Sequence, residues 1–206
     1  MSIKPRPILD DVEAYYSGKF AEHGATPRGV DWRDAASQRT RFEQLERALD
    51  GLEGASLLDY GCGYGALREY LHGERVHRYT GFDISEPMLE HARRTATDGA
   101  VFTSDRNALS AYDVVVASGI FNVRMDRPDT EWSTYVASTL AEMNALATRS
   151  FAFNMLTRYS DPDRMRPDLF YADPGEMFSM CVSRFSRWVA LLHDYGLYEF
   201  TIVVRK

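Results

Sequence analysis

Ser56-Leu57-Leu58-Asp59-Tyr60-Gly61-Cys62-Gly63-Tyr64-Gly65-Ala66-Leu67 constrains this chain more than any other stretch: an apolar run, an aspartate, then three glycines at alternate positions. The apolar run fits a buried strand, the glycines a tight loop, and Ala66-Leu67 the first turn of a helix. Glycine is needed where φ is positive, or where backbone comes so close to a ligand that a Cβ would collide with it. The loop is therefore built to hold a ligand, and a strand-loop-helix of this kind belongs to an α/β fold.

Gly61-x-Gly63-x-x-Ala66 also satisfies the dinucleotide fingerprint, which alone is a weak signal. Asp59 separates the two readings. A carboxylate at the strand tip faces a pyrophosphate unfavourably, whereas it suits a ligand bearing an ammonium and a sulfonium and no phosphate. Tyr79-Thr80-Gly81-Phe82-Asp83-Ile84-Ser85 then reads as a second strand ending in an acid, eighteen positions beyond Gly65. Such an acid can accept hydrogen bonds from both hydroxyls of an unphosphorylated ribose. With these residues the chain resembles the class I S-adenosylmethionine-dependent methyltransferases. Leu58-Asp59-x-Gly61-x-Gly63-x-Gly65 matches the first motif of that family and Asp83 its second.

The resemblance implies an α/β, Rossmann-like fold: a seven-stranded, mostly parallel sheet with an antiparallel last strand, in a three-layer αβα sandwich under an N-terminal helical cap. It covers residues 56–206 as the methyltransferase domain, with residues 1–55 as the cap over the active site. The implied cofactor is S-adenosyl-L-methionine, released as S-adenosyl-L-homocysteine. The residues implied to hold it are Asp59, Gly61, Cys62, Gly63, Gly65, Asp83, Ile84, Ser118 and Gly119. Asp105 is placed at the adenine amino group, and Arg41 of the cap at the cofactor's carboxylate.

The 206 residues, 45% of them hydrophobic, suffice for one domain with a full core. With 24 basic against 30 acidic residues the formal charge is −6, which argues against a general electrostatic grip on nucleic acid or on an anionic membrane. Two cysteines, Cys62 and Cys181, make neither a disulfide framework nor a metal cluster, so no metal is expected. Met1–Pro7 has no apolar signal segment, and no run approaches the length that spans a bilayer. A cytoplasmic monomer or homodimer acting on a small molecule is the expectation.

The remaining segments read in order. Helices are predicted from Asp10 to Ala21 and from Ala36 to Leu49, the latter stopped by Gly51. Between the two lies a loop, with His23 at its start. A short helix after the glycine loop ends at Gly73, and Ser85 caps a helix that carries Pro87 in its first turn. Asp98-Gly99 turns into a strand over 100–103. Tyr112 to Ala117 is apolar enough to be buried on both faces, and it leads into Ser118-Gly119-Ile120-Phe121-Asn122. This stretch lacks the Asn/Asp-Pro-Pro-aromatic tetrad of methyltransferases that act on exocyclic amines of nucleobases. A helix over 130–147 and a strand over 150–156 precede a polar loop carrying Arg158, Tyr159, Arg164 and Arg166. Asp173-Pro174-Gly175-Glu176 opens another helix. Two strands, 186–193 and 198–205, close the chain as a hairpin.

Methyl transfer from a sulfonium is an in-line displacement, and a hydroxyl acceptor is helped by a base. His193, at the end of its strand, is the expected base, oriented by Asp194 or Tyr195. Asn122 is placed beside it as a catalytic group, and His23 is the second candidate base. His72, His77 and His91 fall on predicted surface positions. Arg124, Arg158, Tyr159, Arg164, Arg166, His23 and Tyr195 form the expected substrate side. The arginines suit a carboxylate or phosphate, unless they pair with Asp161, Asp163 and Asp168. The expected acceptor is a small polar molecule, with oxygen slightly favoured over nitrogen. Alternatives are a protein or RNA methyltransferase, a cofactor-binding protein without turnover, and a nicotinamide-dependent oxidoreductase.

Overall fold

A computed structural model describes residues 7–71, 75–97 and 99–206. The expected helix stop at Gly73, His72 and the Asp98 half of the turn lie outside these residues. Two helices, α1 (Ile8–His23) and α2 (Ala35–Leu45), precede the first strand. The strands are β1 (Ala55–Tyr60), β2 (Val76–Phe82), β3 (Val101–Thr103), β4 (Tyr112–Ala117), β5 (Ala147–Leu156), β6 (Trp188–Leu192) and β7 (Glu199–Arg205). Between them run α3 (Ala66–Tyr70), α4 (Glu86–Thr95), α5 (Asp129–Leu146) and α6 (Pro174–Arg184).

The sheet has seven strands in the order β3-β2-β1-β4-β5-β7-β6. β1 to β5 pair in parallel, while β7 runs antiparallel to both β5 and β6. This is the Rossmann-like methyltransferase arrangement, with the reversed strand last in sequence. Side chains alternate between its two faces, as a strand period of two requires. Leu58, Val115, Phe151, Phe153, Ile202 and Val204 pack with Trp132, Leu140 and Met143 of α5 and Cys181 of α6. Leu57, Val114, Val116, Ala152 and Val203 pack with Phe42 and Leu45 of α2 and with Leu89 and Ala92 of α4.

Two local devices secure this layering. Ser56 donates through both its amide, at 2.8 Å, and its hydroxyl, at 2.6 Å, to Asp113, tying the entries of β1 and β4 together. Asp173 caps α6 by accepting from the amides of Gly175 and Glu176 at 2.8 and 3.0 Å. The chain leaves β1 toward β2 and β3 on one side and returns at β4 on the other. The carboxyl ends of β1 and β4 are therefore the topological switch point where such sheets bind ligands. Among the described residues no helix is long and apolar enough to cross a membrane.

Candidate active site

A cleft opens at that switch point. Its floor is the β1–α3 loop, from Asp59 through Gly63, together with Asp83 and Ile84 after β2 and the Ser118-Gly119-Ile120 turn after β4. Its roof comes from the segment before β1: Leu9, Val12 and Tyr16 of α1, then Val30 and Trp32, then Gln38 and Phe42 of α2. Tyr60, Arg106 and Tyr135 close one end.

The loop is held by backbone. The amides of Gly61 and Cys62 both donate to the carbonyl of Phe82, at 2.7 and 3.0 Å. Gly61 has φ 84°, and a Cβ there would run into the Ile120 side chain, so the residue is glycine on both counts. The amide of Gly63 donates to one oxygen of Asp83 at 2.7 Å, and that of Ser85 to the other at 2.9 Å. The Ile84 amide also bonds this carboxylate, whose remaining acceptor capacity is left for a ligand hydroxyl. Enclosure raises the Asp83 pKa, and the backbone bonds oppose the rise. Asp59 is fully buried, accepts from the Tyr79 hydroxyl at 2.6 Å, and is pushed up to about 7 by burial.

A family model described as a methyltransferase domain matches residues 57–143. The candidate methyltransferase Rv1506c of Mycobacterium tuberculosis is 48% identical over 167 residues, covering 78% of this chain and 98% of that protein. The chain belongs to the class I S-adenosylmethionine-dependent methyltransferases. Two solved members share the fold of this methyltransferase at low identity. Magnesium protoporphyrin IX methyltransferase of Synechocystis, solved with S-adenosylmethionine, covers 100% of both chains at TM-score 0.63 and 14% identity. The 1,6-didemethyltoxoflavin N1-methyltransferase of Burkholderia thailandensis, solved with S-adenosylhomocysteine, covers 100% of this chain and 93% of its own at TM-score 0.61 and 20% identity.

Of the residues expected to hold cofactor in this methyltransferase, Asp59, Gly61, Cys62, Gly63, Asp83, Ile84, Ser118 and Gly119 line the cleft. Gly65 stands outside the lining as the N-cap of α3, with φ 90°. Asp105 also stands outside it. The exposed Asp105 caps a short turn by accepting from the Asn107 amide at 2.9 Å, so its carboxylate is used locally. Arg41 is buried, but its guanidinium donates to Glu199 of β7 and lies 3.7 Å from the centre of the Trp32 ring. Its Nη1 and the Ser118 Oγ are both buried without a hydrogen-bond partner, which leaves two donors beside the cleft that a carboxylate can take.

The expected catalytic pair and substrate side lie elsewhere. His193 is exposed at the end of β6, the edge strand, against Tyr159 and Phe200. Asn122 accepts from the Leu156 amide at 3.2 Å and so ties the loop after β4 to the end of β5. Arg124 donates to the carbonyls of Arg127 and Pro167, both at 2.7 Å, as a structural tie. Arg158 pairs with Asp173, Arg164 with Asp163, and Arg166 with Asp168 and Asp31. Salt-bridged loop arginines are thus the observed state, and Arg166 pins the loop to the cap. His23 sits beside Glu22, and the Tyr195 hydroxyl is shared with Thr201.

Polar or aromatic cleft residues not anticipated include Tyr16, Trp32, Tyr60, Arg106 and Tyr135. Tyr60 accepts from Arg106 at 2.7 Å and donates to Glu142 at 3.1 Å. Aromatic density before the first motif was the available signal for Tyr16 and Trp32. Tyr135 reads in sequence as one more core position of α5.

Proposed function

We infer that this methyltransferase moves a methyl group from S-adenosylmethionine to a small acceptor seated between the cap and the turn after β4. The cleft itself carries the reading: a buried acid at the end of β2, a loop with glycine at 61 and 63, and two unpartnered polar groups beside it, Arg41 Nη1 and Ser118 Oγ. When bound, the cofactor supplies an electrophilic methyl on a sulfonium. The chain's own part is to align the acceptor and exclude water. Leu9, Val12, Trp32 and Ile120 make the wall facing that acceptor apolar, which suits a small molecule with an apolar or planar body.

The cleft offers tyrosines rather than a free histidine. Burial raises the pKa of Tyr16, Tyr64 and Tyr135, so their hydroxyls stay neutral and orient an acceptor by hydrogen bonds. Such a cleft suits an acceptor whose nucleophile is already deprotonated or carries a free lone pair. Neither His193 nor the loop arginines line the cleft, so it favours neither an oxygen nor a nitrogen acceptor. Isothermal titration with S-adenosylmethionine, S-adenosylhomocysteine and NAD tests the reading. Saturable binding of the first two supports it; heat from NAD alone overturns it.

A further inference from the structure

Five side chains or backbone groups from five segments close a ring behind the turn after β4. Asn154 of β5, completely buried, accepts from the Gly119 amide at 2.8 Å and donates through Nδ2 to Glu199 Oε2 at 2.6 Å. Glu199 of β7 accepts from Arg41 of α2 at 2.9 and 2.8 Å through Nε, and again from Nη2. The Trp32 ring covers the Arg41 guanidinium. Trp32 also fills the space beside Gly119, where a Cβ would stand 2.6 Å from the indole.

The chemistry of the ring permits one arrangement. A carboxylate only accepts, so Glu199 must face the Asn154 amino group, and the amide oxygen must then face the Gly119 N–H. Gly119 has φ 75°, a left-handed conformation at the centre of the turn that lines the cleft. Arg41 compensates the buried charge of Glu199; without it that charge would be unpaired in the core. We propose that Asn154 and Glu199 are positioning residues, which hold the Ser118-Gly119-Ile120 turn and Trp32 in the geometry that receives the cofactor. The proposal rests on the reading of the cleft given above. Neither residue lines the cleft, so each acts through Gly119 or Arg41.

The test is titration of S-adenosylhomocysteine into the parent, Asn154→Leu, Glu199→Gln and their double variant. Each is measured well below its melting temperature, with native circular dichroism as the entry condition. Asn154→Leu strands the Gly119 N–H, so affinity is expected to fall at least about tenfold in a folded protein. Glu199→Gln is expected to weaken binding through the same turn, and the double variant to lose no more than the worse single. Asn154→Ser replaces the leucine variant if the latter does not fold. Folded variants that bind within twofold of the parent, or losses that simply add, overturn the proposal. A parent that binds no S-adenosylhomocysteine instead overturns the reading of the cleft, and the inference with it.

Discussion

The Tyr79 hydroxyl donates to Asp59 at 2.6 Å, across the β1–β2 pair and beneath the glycine loop. Burial raises the Asp59 carboxyl to about 7, and the tyrosine bond opposes that rise. Because the folded value lies above the ordinary 3.8, the folded protein holds a proton that the unfolded chain has lost between about pH 4 and 7. The stability from this group is fully present below about pH 4, is lost at up to about 1.4 kcal/mol per unit as pH rises toward 7, and is gone above that.

An ionised Asp59 attracts a ligand that carries ammonium and sulfonium charges. S-adenosylmethionine should therefore bind more tightly at pH 8 than at pH 6, as read by titration calorimetry. Asp59→Asn should abolish the part of the difference that comes from this residue. Tyr79→Phe should move the midpoint upward, because it removes the bond that favours the charged form.

Asp83→Ala removes both acceptors for the ligand's hydroxyls and also releases the Gly63 and Ser85 amides. Cofactor affinity should fall by roughly 1.5–3 kcal/mol, the range for hydrogen bonds to a charged group. An unchanged dissociation constant would displace the ribose from this acid.

Two cap glycines should respond with opposite signs. A Cβ on Gly29 would strike the backbone carbonyl of Gly24, which cannot swing aside, whereas Gly18, inside α1, has open space. Gly29→Ala should lower the melting temperature and weaken S-adenosylhomocysteine binding, since Val30 and Trp32 follow it directly into the cleft. Gly18→Ala should stabilise by up to about 1 kcal/mol, as alanine costs a helix less backbone entropy than glycine.

His193→Ala should leave turnover within about twofold of the parent on any acceptor found by screening, since a surface change away from the site costs little. A loss of a hundredfold or more would return the histidine to the chemistry.

The floor of the cleft was legible because its groups lie in short contiguous stretches. Asp59 to Gly63 and Phe82 to Ser85 act largely through backbone, and backbone conformation is written locally in glycines and caps. The acceptor half was not. β7 enters the sheet between β5 and β6, which pushes β6 to the edge and carries His193 away from the switch point. Arg158, Arg164 and Arg166 fall near acids that their loop and cap bring close, and a pairing of that kind depends on the folded path.

Glycine spacing, the two strand-end acids and the alternation of strands and helices determined, by themselves, the fold family and the loop that floors the cleft. Each of these is a local rule about φ, burial or period. Which side chains meet behind the cleft was decided only by tertiary structure. Arg41 and Glu199 stand 158 residues apart in sequence, and they meet because burying two opposite charges together costs far less than burying either alone.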